Sequence, residues 1–182
     1  MKRLPIIGLM AATIVFAVDQ LIKFVVTGPL GLSSLAGPTI EVLPVFRLRF
    51  VANIGVSLGL LNASSDAGRW GLVALTGVIA AGVLVWMVRE RNRQDQLALG
   101  LVLGGAIGNI LDRIRLGYVV DYADLHFGDW SPFLVFNLGD AAITMGVIIL
   151  LARAVIIRDK APVQALANEG PVEAGRVEND NA

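Results

Sequence analysis

The chain has no cysteine and a single histidine, His126, among 182 residues. The first absence excludes disulfides, thiolate nucleophiles and cysteine-ligated metal sites. The second leaves hardly any room for a multi-histidine zinc site or a Ser-His-Asp triad. A solitary loop histidine is most often a plain polar residue. Charge is scarce too. Asp, Glu, Lys and Arg make up 16% of the chain, and the 15 acidic and 15 basic side chains cancel to a formal net charge of zero. Bulk charge therefore gives no pointer to nucleic acid or to a basic surface-binding module.

Apolar residues are abundant. They are 55% of the chain, and the mean hydropathy is +0.71, too much apolar surface for a soluble domain of this length. Four stretches approach the roughly 20 apolar residues that a bilayer span needs: about 4–26, 70–88, 97–114 and 136–157. The first follows Met1-Lys2-Arg3 like a signal peptide, but no A-x-A-like cleavage site follows, and we read it as a retained span. The expected architecture is an all-α membrane protein of four transmembrane helices. Residues 1–158 form its single domain, and 159–182, polar with scattered Pro, Gly, Glu and Asn, a disordered cytoplasmic tail.

Basic residues suggest the orientation, because loops rich in Lys and Arg stay cytoplasmic. Lys2, Arg3, Arg89, Arg91, Arg93, Arg153, Arg158 and Lys160 flank one side, against Arg47, Arg49, Arg69, Arg113 and Arg115 on the other. Both termini are then cytoplasmic, and the loop of about 27–69 is outside. Within it, "TIEVLPVFRLRFVANIGVSLGLL" is rich in β-branched and aromatic residues with partial alternation, which predicts strands. Strands there must pair or be covered. A small extracytoplasmic sheet is expected, with "GYVVDYADLHF" as a further candidate member, and "NASSDAGRW" as a short surface helix.

Polar residues inside the spans are costly and therefore informative. Asp19 and Lys23 are four apart on one helix face, with the acid N-terminal, as suits an ion pair. That pair either stitches helices together or shapes a pocket. In "GLVLGGAIGNILDRI", Gly100, Gly104 and Gly108 recur at four-residue spacing, which lets another helix approach closely. Asn109 shares a face with Asp112 and Arg113 near the end of that span, as a structural network or as part of a site. "FNLGD" puts Asn137 and Asp140 three apart in the first turn of the fourth span, where an aspartate could simply favour the helix dipole.

Dipole stabilisation does not account for Asp121. The third span ends near Ile114 and the fourth begins near Phe136, so Asp121 and Asp140 fall at the same end of neighbouring helices and can meet. Two carboxylates brought together share one proton and titrate as a unit. The charged one can then take a proton from water while the neutral one hydrogen-bonds an amide carbonyl, with no metal, thiol or histidine. No cofactor is expected.

The blocks "DQLIK", "NIGVSLG", "GGAIGNILDR", "GYVVDY" and "FNLGD", in this order among four spans, resemble bacterial lipoprotein signal peptidase, also called signal peptidase II. The resemblance covers about residues 19–146. It implies a membrane aspartic endopeptidase that removes signal peptides from diacylglyceryl-modified prolipoproteins just before the lipidated cysteine, at the outer face of the inner membrane. It implies a catalytic dyad of Asp121 and Asp140. Asp19, Lys23, Asn53, Gly55, Asn109, Asp112, Arg113 and Asn137 match supporting positions, for pocket architecture and substrate contact. Prolipoprotein substrate and membrane lipid are the implied partners. Two positions depart from the family pattern: Gly139, where alanine is usual, and Leu58, where an aromatic is common. Two readings of other classes are a proton-coupled transporter, disfavoured because no internal repeat is present, and a scaffold held by its polar groups.

Overall fold

Helix α1 spans Ile6–Thr27, α2 Asp66–Arg89, α3 Arg93–Leu116 and α4 Leu138–Asn168. These are the elements of a computed structural model that describes residues 4–33, 37–55, 66–128 and 130–168, the stretch 157–168 by its backbone alone. Among the described residues, four helices are long and apolar enough to cross a membrane, α4 over Leu138–Ile156. Helix α3 begins before its apolar run because Asn92 caps it. The Asn92 side chain accepts hydrogen bonds from the backbone N–H of Gln94 (2.8 Å) and Asp95 (3.4 Å), satisfying two donors that a helix start leaves free. Gly117 ends it at φ +87°, a left-handed conformation that glycine adopts without strain. The surface helix expected in "NASSDAGRW" falls outside the described residues over 62–65, and 66–70 are the first turns of α2.

Helix α3 is the central element. A Cβ at Gly100 would strike the carbonyl of Gly8, and one at Gly104 would sit 2.5 Å from the Ala12 carbonyl oxygen. One at Gly108 would sit 2.5 Å from Asp19 Oδ2. The four-residue glycine spacing therefore seats α1 directly against α3. On another face of α3, a Cβ at Gly105 would strike the Gly139 carbonyl, and Gly146 lies against Ala98. In a bilayer, where lipid is as apolar as leucine, such close backbone contact is the main source of helix association. Gly104→Ala is therefore expected to cost about 1–3 kcal/mol through overpacking, seen as a lower melting temperature of the detergent-solubilised protein.

The expected sheet has three antiparallel strands, β1 (Ile40–Leu43), β2 (Phe46–Asn53) and β3 (Val119–Leu125), in the order β1-β2-β3. A register irregularity between Leu48 and Val51 brings Val51 opposite Asp121. Val26 at the end of α1 and Leu32 in the turn beyond it pack with Phe50, Val120, Tyr122 and Ala123 of the sheet. Beyond β3 the chain doubles back. Ala123 N–H donates to the Phe136 carbonyl (2.8 Å) and Phe136 N–H to the Ala123 carbonyl (3.0 Å). This exchange ties the strand that carries Asp121 to the entry of α4.

Candidate active site

The first turn of α4 is closed by its own polar residues. Asn137 Oδ1 accepts from the Asp140 N–H (3.0 Å), and Asp140 Oδ2 accepts from the Asn137 N–H (3.2 Å). This is the reciprocal arrangement of a capping box, built from Asn and Asp. It fixes Asp140 at the helix N-terminus, where a negative charge is stabilised. The Asn137 amide has a second function. Its Nδ2 donates to Asp121 Oδ1 at 2.6 Å, so one asparagine holds both aspartates.

Each carboxylate has one further amide partner. Asp121 Oδ2 accepts from Asn53 Nδ2 (2.9 Å), and Asp140 Oδ1 accepts from Asn109 Nδ2 (2.8 Å). Asn53 is aimed by its own turn: its Oδ1 accepts from the Gly55 N–H (2.9 Å). Gly55 stands at φ +86°, which only glycine adopts without strain. Asn109 is in turn held by Lys23, whose Nζ donates to Asn109 Oδ1 at 3.1 Å.

Lys23 is the hub of a buried ion cluster. Its Nζ lies 2.8 Å from Asp19 Oδ2 and 2.8 Å from Asp112 Oδ2, and all three side chains are buried. The second carboxylate oxygens are also satisfied. Asp19 Oδ1 accepts from the Gly139 N–H (2.9 Å), and Asp112 Oδ1 accepts from Gln20 Nε2 (3.0 Å). Asp112 Oδ2 also accepts from the Val120 N–H at 3.2 Å. One cluster thereby fastens α1, α3, β3 and the start of α4 together behind the two aspartates. Gly139 fits this crowding: a Cβ there would stand 3.0 Å from Asn137 Oδ1 and 3.3 Å from Asn109 Oδ1, pressing on both amides that hold the carboxylates. Leu58, the other departure, lies outside the described residues.

Arg113 completes the set. Its Nη1 reaches the Asn109 carbonyl at 3.4 Å, while its Nε is buried without a hydrogen-bond partner among the described residues. The last turn of α3 is clamped from α2, where Arg69 Nε donates to the Arg113 carbonyl (2.7 Å) and Nη2 to that of Ile114 (2.5 Å).

Asp121 is 1% exposed, and burial pushes its carboxyl up to about 6. The Asn53 hydrogen bond opposes that rise, the Asp140 charge adds to it, and Asn137 and Lys23 oppose it. The arrangement can present a charged and a neutral carboxyl side by side.

The ten residues singled out from sequence therefore belong to one connected set. Sequence reading missed Gln20, Arg69 and Tyr122, whose hydroxyl accepts from the Leu138 N–H at 3.2 Å. The polar type of Gln20, one residue from Asp19, was the available signal. It also missed a separate cluster in which Asp124 binds Arg47 Nε and Arg49 Nε, each at 2.8 Å. Burial would raise Asp124, but the Arg47 hydrogen bond and the Arg49 charge outweigh it and hold it below the ordinary carboxylate range. His126, read as a plain polar loop residue, is buried, its Nε2 3.3 Å from Glu41 Oε2. Among the described residues no group of three or more His, Cys, Asp and Glu could hold a metal ion.

Residues 11–156 match the family model of signal peptidase (SPase) II. The lipoprotein signal peptidase of Rhizorhabdus wittichii is 54% identical over 159 residues, covering 87% of this chain and 91% of that protein. That of Sphingopyxis alaskensis is 49% identical over 154 residues, covering 85% and 88%. Among solved structures, a bacterial membrane enzyme determined by the in meso method at 1.9 Å resolution superposes with a TM-score of 0.68. It is 26% identical, covering 81% of this chain and 91% of that one. A second, at 2.3 Å, gives 0.67 at 24% identity and 92% and 94% coverage, a likeness of fold. The match of fold, family model and close relatives leads to one conclusion: this chain is a membrane peptidase belonging to the signal peptidase II family.

Proposed function

We propose that the protein is an aspartic endopeptidase that removes signal peptides from diacylglyceryl-modified bacterial prolipoproteins, cutting N-terminal to the lipidated cysteine. One observation carries this reading: Asn137 holds Asp121 and Asp140 together at the end of a span. The pair shares one proton. Burial of Asp121 draws that proton to its side, leaving Asp140 to remove a proton from water as the hydroxide attacks the scissile carbonyl. Asp121 donates its proton to the developing oxyanion. When the intermediate collapses, the C–N bond breaks, the proton held by Asp140 passes to the departing amine, and a hydroxyl proton of the intermediate returns to Asp121, restoring the shared-proton pair.

The other residues position and support. Asn53, Asn109 and Asn137 orient the carboxylates, Gly55 orients Asn53, and Asp19, Lys23 and Asp112 fix the helices behind them. Arg113, whose Nε has no hydrogen-bond partner among the described residues, belongs to the substrate pocket. The active domain is residues 1–158, followed by a cytoplasmic tail. The site lies at the end of α3 opposite Arg89, Arg91 and Arg93, which the distribution of basic residues puts at the outer face of the bacterial inner membrane, with both termini cytoplasmic.

Purified protein incubated with a lipidated prolipoprotein and with its unlipidated twin tests the reading. Cleavage of the lipidated form alone is expected, and equal cleavage of both would refute the substrate assignment. Asn53→Ala and Arg113→Ala are expected to lower kcat/KM by up to about 10²-fold, since positioning groups act through geometry. An Asn53→Ala enzyme that was folded yet wholly inactive would make Asn53 part of the bond-breaking chemistry.

A further inference from the structure

The strand that carries Asp121 and the helix that begins beside Asp140 are joined by a segment whose large side chains face away from the protein. Phe127, Trp130, Phe133 and Leu134 are 55%, 66%, 60% and 83% exposed. In sequence the segment 127–134 carries one charge, Asp129. Its backbone is held at both ends. Phe127 and Trp130 exchange backbone hydrogen bonds of 2.7 and 3.3 Å, with ring centroids 5.9 Å apart. Val135 is buried, and Phe136 is bonded in both directions to Ala123.

Contiguous apolar exposure of this kind marks a contact surface, and its place in the chain identifies the contact. The membrane-crossing part of α4 starts at Leu138, four residues after Leu134. An extended chain covers at most about 3.5 Å per residue, so Leu134 lies within roughly 14 Å of that start. Aromatic side chains gather at this depth, where hydrocarbon meets headgroups. Trp70, half-exposed in the first turns of α2 under the Arg69 guanidinium, has the same character.

We propose that segment 127–134 is a membrane-interface anchor, seating Phe127, Trp130, Phe133 and Leu134 in the lipid of the leaflet next to the two aspartates. The occupant is bilayer lipid, because the exposed apolar side chains end four residues before the first residue of a span. The anchor is fastened at Ala123, two residues from Asp121, and at Phe136, four from Asp140. Its depth therefore sets the depth of both carboxylates.

The chain has three tryptophans, so Trp70→Phe with Trp86→Phe leaves Trp130 as the only emitter. The full-length variant is reconstituted without substrate into phosphatidylcholine vesicles, with or without lipids brominated near the headgroup end of the acyl chains. The expected result is blue-shifted emission, largely lost to the brominated lipid and little affected by aqueous iodide. Water-like emission that iodide quenches and brominated lipid does not would overturn the proposal. So would shielding from iodide that develops only after a lipidated peptide is added, which would assign the patch to substrate. If the double variant fails to insert, Leu134→Cys in the otherwise unchanged, cysteine-free chain, carrying a polarity-sensitive fluorophore, is read with the same quenchers and the same criteria.

Discussion

Asp121→Asn and Asp140→Asn are each expected to abolish cleavage, with kcat falling on the order of 10⁴-fold, while the protein still inserts and binds substrate. An amide can neither take a proton from water nor donate a carboxylic one. Cleavage by either folded variant within about 10²-fold of the parent rate would end the dyad assignment. Asp121→Asn carries a second, independent signature in stability. The Asp121 carboxyl is raised from 3.8 to about 6 in the folded protein, so its charged form is disfavoured there relative to the unfolded chain. Below about pH 4 the group is neutral in both states and costs nothing. As pH rises through about 6 the folded state loses up to about 3 kcal/mol. Asparagine makes no such loss, although its NH₂ must face one of the donor amides of Asn53 or Asn137. The stability of the variant relative to the parent should therefore shift in its favour between about pH 4 and pH 7. A flat difference across that window would contradict the buried, proton-retaining carboxyl.

Lys23→Met is expected to produce the largest loss of stability, about 3–5 kcal/mol, because it leaves Asp19 and Asp112 buried without their cation. The comparison that isolates this cause is the double variant Lys23→Met/Asp112→Asn. Removing one of the two stranded charges should recover part of the loss, a coupling that separate, additive effects would not give. Unchanged thermal unfolding of Lys23→Met in detergent would mean that the cluster is not what fastens α1 to α3 and α4.

Much of this site was legible because intramembrane polarity is conspicuous. Asp19, Lys23, Asn109, Asp112, Asn137 and Asp140 stand out against apolar neighbours, and the i,i+4 pairing of Asp19 with Lys23 holds at 2.8 Å. The glycine spacing on α3 likewise foretold a close helix partner, though not that Gly100, Gly104 and Gly108 face α1 while Gly105 faces α4. Hydropathy misjudged the start of α3, where the polar turn after Asn92 is helical because of its cap. The positions of Asn53 and Gly55 came from family resemblance alone. Local pattern could not supply them, since the Asn53–Asp121 bond joins residues 68 apart and depends on the irregular register between β2 and β3. Asp124 was missed for the same reason: its arginines lie on β2, 77 residues away in the case of Arg47. Asp140 closes the capping box of α4 and is also joined through Asn137 to Asp121.

The bond from the Gly139 N–H to Asp19 joins residues 120 apart, and it has a consequence for how the protein comes into being. During synthesis Asp19 and Lys23 leave the ribosome long before Asn137 and Asp140. Until α4 arrives, Asp121 lacks its bridging asparagine and its companion carboxylate. On the proposed mechanism the nascent chain would be catalytically silent, with proteolytic competence expected only once the start of α4 has closed against α1.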